Sequence, residues 1–524
     1  MTAEVSAKDT QKPRATFEKL SPVDGRGLGT FSIGTKADVE EAVVRARDAY
    51  PRWSALSLER RFSYLERVRD IIERDGEKFA AIISEDTGKP LVDSLMTELV
   101  SVPLFIDYYK KEAPKVLKRQ RLMPQILFPG KSSYIEYFPM GVIGIISPWN
   151  FPFQLAVVPV ISALIAGNTV VLKPSEVTPM TGELIREIFE EAGFPPGVVQ
   201  VIQGDGSTGA ALTGSNIDKI FFTGSVATGR KVMAAAAEKP IPVELELGGK
   251  DAMIVCHDAN LERAARAAVW GGFINCGQMC ISVERLFVVE AIYDEFIEKV
   301  TAEVKRLKVG GPDDNADMGP LTFAGQLDTV KAHVEDAKKK GANIVSGGKR
   351  REGPGQFFEP TLLLDVTTDM EIYKEETFGP VLPVIKVKDE EEALRMANDH
   401  KYGLTGSVWT NDKKRGLELA SRMESGQCSV NDLVQSVGNP ALPFGGVKQS
   451  GFGRYHGAEG LYSFMNQKAI MVASGRMDVE AFWFPYAAKY PAMLGAFKGL
   501  LGGKPLKMGK KFWNLIQITK KRER

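Results

Sequence analysis

The chain has 524 residues, 44% apolar and 25% charged, with four cysteines and a formal net charge of +1. That length exceeds one ordinary core, so two or more domains are expected in a soluble globular protein, and so few cysteines give no disulfide framework and suit a reducing compartment. The charge is uneven, because residues 481–524 carry ten Lys or Arg against one Glu, a net of +9 that leaves the first 480 residues at −8.

The polar N-terminus lacks an apolar core segment, so no secretory leader and a cytoplasmic protein are expected. Thr35 with Asp38 three positions on, followed by Val39, Val43, Ala46 and Tyr50, predicts a capped helix over 35–48. Phe62, Leu65, Val68 and Ile72 predict a second over 58–74. Two apolar runs on either side of Pro129-Gly130-Lys131-Ser132 predict a hairpin over 121–139, either a projecting arm or an edge hairpin of the same domain.

From Gly141 onward short β-branched runs alternate with helical patterns: VIGIIS, TVVLK (169–173), VVQVI (198–202), KIFFTG (219–224) and PVELEL (242–247). This is the rhythm of a parallel sheet with crossover helices, which binds ligands beyond the carboxyl ends of its strands. The segment 151–166 is almost wholly apolar but too short to span a bilayer, so a buried helix is expected. Gly204-Asp205-Gly206-Ser207-Thr208-Gly209 is a literal G-x-G-x-x-G, yet no acidic residue follows about 20 positions on, and alone it is a weak dinucleotide signal. After Gly248-Gly249 a second alternating set begins, DAMIVC, a helical stretch, then RLFVVE.

The stretch Gly271 to Arg285, GGFINCGQMCISVER, places Cys276 and Cys280 together. A cysteine is a nucleophile only as thiolate, and taken alone it reads as a small buried hydrophobe. The four histidines (His257, His333, His400, His456) are scattered without ligand spacing, so no metal is expected.

Together, Pro148-Trp149-Asn150-Phe151-Pro152, Glu246-Leu247-Gly248-Gly249-Lys250, Asn275-Cys276-Gly277-Gln278-Met279-Cys280 with Arg285, and Glu376-Thr377-Phe378-Gly379-Pro380 resemble, in order and spacing, the signature set of the aldehyde dehydrogenase superfamily. The likeness extends over about 20–471. It implies an α/β fold with a Rossmann-like NAD-binding domain (1–120 and 140–247), a second α/β catalytic domain (248–447), and a β-hairpin oligomerisation arm (121–139 and 455–474). A basic aromatic extension (475–524) follows. A homodimer or homotetramer is implied through the arm.

By the same resemblance Cys280 is the nucleophile, Asn150 and the Cys280 amide hold the oxyanion, and Glu246 activates the water that hydrolyses a thioester. The cofactor loop is Thr223-Gly224-Ser225-Val226-Ala227-Thr228-Gly229 rather than the literal glycine motif, with Gly224, Ser225 and Gly229 at the phosphates. Lys173, Ser175 and Glu176 would take the adenosine ribose, with Trp149, Leu247, Gly248, Glu376 and Phe378 around the nicotinamide half. A carboxylate at Glu176 repels a 2′-phosphate, favouring NAD with NADP as the alternative; Glu176 also reads as a helix N-terminal carboxylate. The substrate tunnel would be lined by Phe151, Gln154, Leu155, Val158, Met279 and Phe444, an apolar set without a cation. Glu244 departs from the family pattern and shares a strand face with Glu246, so it either raises the Glu246 pKa or pairs with a basic side chain.

In the tail, Trp483, Phe497, Phe512 and Trp513 interleave with lysines among Pro485, Pro491 and Pro505. This suits peripheral contact with an anionic membrane or docking over a substrate mouth, and nucleic acid less than either. Relatives with such tails imply a medium- or long-chain aliphatic aldehyde. An aromatic aldehyde, a semialdehyde, a CoA-acylating dehydrogenase, a cysteine hydrolase and a non-catalytic binding relative are the alternatives.

Overall fold

Thr35 and Asp38 form the expected capping box, each side chain bonding the other's backbone N–H, and start helix α1 (Lys36–Ser54). Ser57 caps α2 (Leu58–Thr87), which continues past the expected end through non-helical backbone at Asp75. The apolar periodicity is interrupted where Asp75-Gly76 follows Arg74, so the second half escaped the sequence reading. In the computed structural model, residues 14–123, 128, 130–476, 478–480, 482–484, 486, 489–502 and 513–519 are described. They divide into a larger unit of 1–116 with 139–466 and a smaller one of 117–138 with 467–524.

The larger unit holds two sheets. The first runs Val199–Val201, Thr169–Lys173, Val142–Ile146, Lys219–Thr223, Val243–Glu246, Gly451–Phe452, parallel except for the last pair, where Gly451 faces Glu246. The second runs Asn343–Ser346, Thr361–Leu364, Val381–Val387, Val283–Val289, Asp251–Val255, Gly406–Trp409, Ser429–Val430. The expected α/β class is therefore observed. Strand order in the first sheet reverses between Val142–Ile146 and Lys219–Thr223, and the loops that leave those two strands are the ones carrying Asn150 and Ser225.

After α3 (Ser101–Val116), helix α4 (Gln154–Ala166) fills the interior with all thirteen residues buried, as its uniform apolarity predicts. Asn168 ties its end to the sheet. Its Oδ1 accepts from Met140 and Gly141 N–H at 2.7 and 2.9 Å, and its Nδ2 donates to the Ala163 and Phe464 carbonyls at 3.1 and 2.8 Å. Helices α5 (Val226–Ala237) and α6 (Leu261–Phe273) lead away from the first sheet's fourth strand and into the cysteine loop.

In the smaller unit, Lys131–Pro139 lies between Gln120–Arg121 and Met465–Ala473 in one three-stranded sheet. Part of the expected hairpin, residues 124–127 and 129, lies outside the described residues, as do Phe512, Pro485 and Pro505. The tail forms the helix Tyr490–Leu501 and a small apolar cluster of Val479, Leu515 and Ile516, while Trp483, Phe484, Phe497 and Trp513 stay exposed. Among the described residues no helix is long and apolar enough to cross a membrane.

Replacing Asn168 with Ala strands the Met140 and Gly141 N–H groups and the Phe464 carbonyl, while the Ala163 carbonyl keeps its backbone donors, and each unpaired buried group costs about 1–3 kcal/mol. Asn168→Ala is expected to lower the denaturant midpoint well beyond an exposed control such as Asn439→Ala; equal midpoints would contradict this account.

Candidate functional site

Cys280 sits where two cavities meet. The larger, about 640 Å³, is walled mainly by apolar side chains, with Phe151, Gln154, Leu155, Met279 and Phe444 among them. The smaller, about 320 Å³, starts at Gly224 and Ser225 and runs between Trp149, Phe378 and Glu376. Leu155, Thr223, Glu246, Leu247 and Cys280 belong to both walls.

The chain reaches Cys280 through consecutive left-handed residues, Asn275, Cys276 and Gly277, at φ 50°, 58° and 68°. Such backbone costs a non-glycine residue roughly 1–2 kcal/mol, and a Cβ at Gly277 would lie 2.1 Å from the Gly379 carbonyl oxygen. Buried hydrogen bonds hold the turn. Asn275 Nδ2 donates to the Asn150 and Gln278 carbonyls at 2.9 and 3.1 Å, Gln278 Nε2 donates to Asn275 O at 3.0 Å, and Gln278 Oε1 accepts from Thr322 N at 2.8 Å. Cys276 packs into the core of the second sheet, whereas Cys280 opens on the cavities.

Asn150 is buried, its Nδ2 donating to Gln278 O at 3.1 Å and its carbonyl accepting from Lys89 Nζ at 2.8 Å. Lys89 is itself fully buried, paired at 2.7 Å with Glu98, whose second oxygen accepts from Phe153 and Gln154 N–H at the start of α4. Sequence reading missed Lys89 and Glu98, since single charges in an amphipathic stretch read as surface. It also missed Phe323, which meets Trp149 edge-on with centroids 5.0 Å apart and closes the smaller cavity. No periodic or spacing signal marks that residue.

Burial, then Glu376, Asp251 and Glu246, push the Cys280 thiol well above its ordinary range. Burial and then Glu244 push the Glu246 carboxyl well up, and neither Glu246 oxygen has a protein partner. Glu244 also forms the expected ion pair, with Lys219 at 2.6 Å, so both readings of that residue hold. Burial first, then Glu284, raise Glu376 to about 8. Glu376 Oε1 accepts from Gly249 N at 2.9 Å, and the carboxyl fits only because residue 248 lacks a Cβ, which would lie 2.2 Å from Oε2. Phe378 is held left-handed at φ 54° while Glu284 accepts its N–H and that of Thr377 at 3.0 and 2.8 Å. Strain of about 1–3 kcal/mol concentrated there marks a position fixed for contact rather than packing.

The remaining candidates separate. Lys173 and Glu176 form an ion pair at 2.8 Å beyond the strand Thr169–Lys173, and Ser175 Oγ accepts from Val177 N at 3.2 Å. Ser225 caps α5, accepting from Thr228 N at 3.3 Å. Two candidates lie off the cavity walls. Val158 lies fully buried within α4 and does not contribute to the larger cavity's wall. Gly229 lies buried in α5 against Leu247, whose Cδ2 would lie 2.6 Å from a Cβ there, so its smallness serves helix-on-strand packing. Arg285 points away from both cavities and donates to the Lys250, Met396 and Ala397 carbonyls. In the literal glycine motif, the Asp205 carboxylate accepts from Ser207 N at 2.8 Å and occupies the helix start that a phosphate would need.

The aldehyde dehydrogenase family model matches residues 8–470. A 4,4'-diapolycopene aldehyde oxidase from a Methylomonas species is 43% identical over 474 residues, 90% of this chain and 89% of that protein. A candidate succinate-semialdehyde dehydrogenase [NADP(+)] of Mycobacterium ulcerans is 39% identical over 466 residues, 88% of this chain and 89% of its own. The crystal structure of Mycobacterium tuberculosis aldehyde dehydrogenase complexed with NAD+ superposes with a TM-score of 0.84 at 36% identity, covering 88% of this chain and 95% of that one. A match over nearly the whole chain places this protein, with its Cys280 loop and two adjoining cavities, in the aldehyde dehydrogenase family.

Proposed function

We propose that this protein oxidises a long, uncharged, apolar aldehyde to its carboxylic acid, with NAD as oxidant and NADP as the second choice. The observation that carries the reading is the meeting of an apolar cavity and a polar, aromatic-walled one at Cys280 and Glu246. In the reading, the first sheet carries the cofactor and the second the nucleophile.

Cys280 would give up its thiol proton to solvent by way of the Glu246 carboxylate, and its Sγ would add to the aldehyde carbon from the apolar side as the C=O π bond opens to an oxyanion. Asn150 Nδ2 has a second N–H beyond the one given to Gln278, and with the Cys280 backbone amide it would stabilise the oxyanion. The smaller cavity fits a nicotinamide nucleotide: aromatic walls from Trp149, Phe323 and Phe378, a carboxyl from Glu376 for ribose hydroxyls, and the capped start of α5 toward the phosphates. Bound there, the cofactor supplies the oxidising power by accepting the hydride. Glu246, with no protein partner on either oxygen, would then draw a proton from the water that hydrolyses the thioester. The same residue favours hydrolysis over transfer to CoA.

Among the described residues, no lysine, arginine or histidine lines the larger cavity. A semialdehyde carboxylate would find no cation there, so the substrate of the Mycobacterium ulcerans relative is the second choice, and a hydrolase lacks its histidine partner. The apolar wall accords better with the polyene aldehyde in the Methylomonas relative's name. Exposed Trp483, Phe484, Phe497 and Trp513 among lysines support peripheral membrane contact by the tail. The three-stranded sheet of the smaller unit is read as the surface through which a homodimer or homotetramer forms.

Cofactor reduction followed by absorbance should appear with hexanal and decanal, vanish in Cys280→Ala, and fall roughly a hundred- to a thousandfold in kcat for Asn150→Ala; no reduction with any aldehyde would defeat the reading. Because the Glu244 charge raises the Glu246 carboxyl, Glu244→Gln should lower that pKa and move the acidic limb of the kcat–pH profile to lower pH. An unmoved or upward-shifted limb would remove Glu246 as the titrating base. Vesicles rich in anionic lipid should sediment the full chain, less so at high salt, and should not sediment a chain lacking 481–524. Equal sedimentation of the two would take membrane contact from the tail.

A further inference from the structure

The apolar surface does not end at the tunnel mouth. A second, open groove of about 880 Å³ lies between α2 and the segment that enters α3, and it shares Val100 and Leu104 with the tunnel wall. Its floor is Ile72, Ala80 and Leu99, and its walls are Leu91, Val92 and Leu95. Along α2 it extends from Arg69 to Ala80, about 16 Å at the helical rise.

The segment that forms this wall is built against the usual pattern. Ser94–Leu99 is a π-helical turn, with Val100 N–H donating to Leu95 O at 3.0 Å. Two of its polar residues are buried: Ser94 shares a 2.8 Å hydrogen bond with Ser84, and Glu98 holds Lys89 and the start of α4. Leu99 goes in with them, but Leu95 and Met96, like Val92 just before the turn, face outward, at 43%, 58% and 69% exposure. A surface under no other demand would place these groups the other way round, and a contiguous apolar patch beside a site marks a contact surface. Extra residues of this kind in a helix recur at functional positions.

At the rim, Arg69 is paired with Asp70 and Asp107, and Arg74 with Asp75 and Glu191. The cations at this edge are thus engaged with carboxylates, which leaves the groove suited to an uncharged occupant. We propose that the groove is a distal subsite for the far end of an aldehyde too long for the tunnel, the chain passing over Val100 and Leu104 while its carbonyl lies at Cys280. This rests on the reading that apolar aldehydes reach Cys280 through the larger cavity.

The test is the double variant Val92→Lys/Leu95→Glu, at two exposed positions that do not line the tunnel and with no change in net charge. Each methylene withdrawn from water is worth roughly a fourfold factor in affinity. Hexadecanal should therefore lose at least about tenfold in kcat/KM through KM, with kcat retained, while hexanal stays within about twofold. Equal losses for both aldehydes, or none for hexadecanal, would overturn the subsite. A changed subunit number by light scattering with an intact chain-length profile would make the groove a subunit contact and overturn it too. Wild-type protein inactive on every aldehyde would defeat the underlying reading instead, which separates the two failures.

Discussion

A knot of buried hydrogen bonds around Asn150 and Gln278 holds together everything the site uses. Four segments far apart in sequence meet there: Lys89 reaches the Asn150 carbonyl, Asn150 reaches Gln278, Asn275 reaches both, and Thr322 closes on the Gln278 side chain. Each of these groups would cost about 1–3 kcal/mol if buried without its partner, so none can move alone. The knot therefore fixes the left-handed turn before Cys280 in the only arrangement that satisfies all of them. Rigidity in that turn is what lets a flexible thiol be placed at the junction of two cavities.

Lys89 and Glu98 extend the same constraint outward. Removing either member would leave an uncompensated charge in a dry interior, a loss of about 3–5 kcal/mol, whereas the intact pair contributes little net stability. Its value is positional. One Glu98 oxygen holds Lys89 beneath the Asn150 carbonyl and the other fixes the first amides of α4, so the loop between Ile146 and Gln154 is gripped at its middle and at its far end. The inward pull on Glu98 also turns Leu95 and Val100 outward, which links the positioning of the reacting groups to the apolar surface outside the tunnel.

What could be read from the residues followed from local rules. The five first-sheet strands between Val142 and Glu246 and the burial of α4 were legible because period and apolarity alone determine them. The motif order carried Cys280, Glu246, Asn150, Glu376 and Phe378 to one place, and they do line the two cavities. The misses share one cause. Val158 and Gly229 sit on helices whose side chains all look alike in sequence, and only the rotation of α4 and α5 against the sheet decides which ones reach a cavity. Lys89, Glu98 and Phe323 owe their placement to distant contacts, Lys89 with Asn150 at a separation of 61, Glu98 with Phe153 at 55 and Phe323 with Trp149 at 323 − 149 = 174. No window of sequence contains that information.

The electrostatics of the resting site then decide how reactive it is before a substrate arrives. Cys280 lies among three carboxyl groups, and its low-dielectric surroundings favour the neutral thiol. Glu246 is pushed the same way by burial and by Glu244, so thiol and carboxyl are both held toward their uncharged forms. A neutral thiol is a poor target for oxidation, since susceptibility follows thiolate character. What the arrangement stores at the junction is therefore a buried neutral thiol beside a buried carboxyl without a protein partner, not a thiolate.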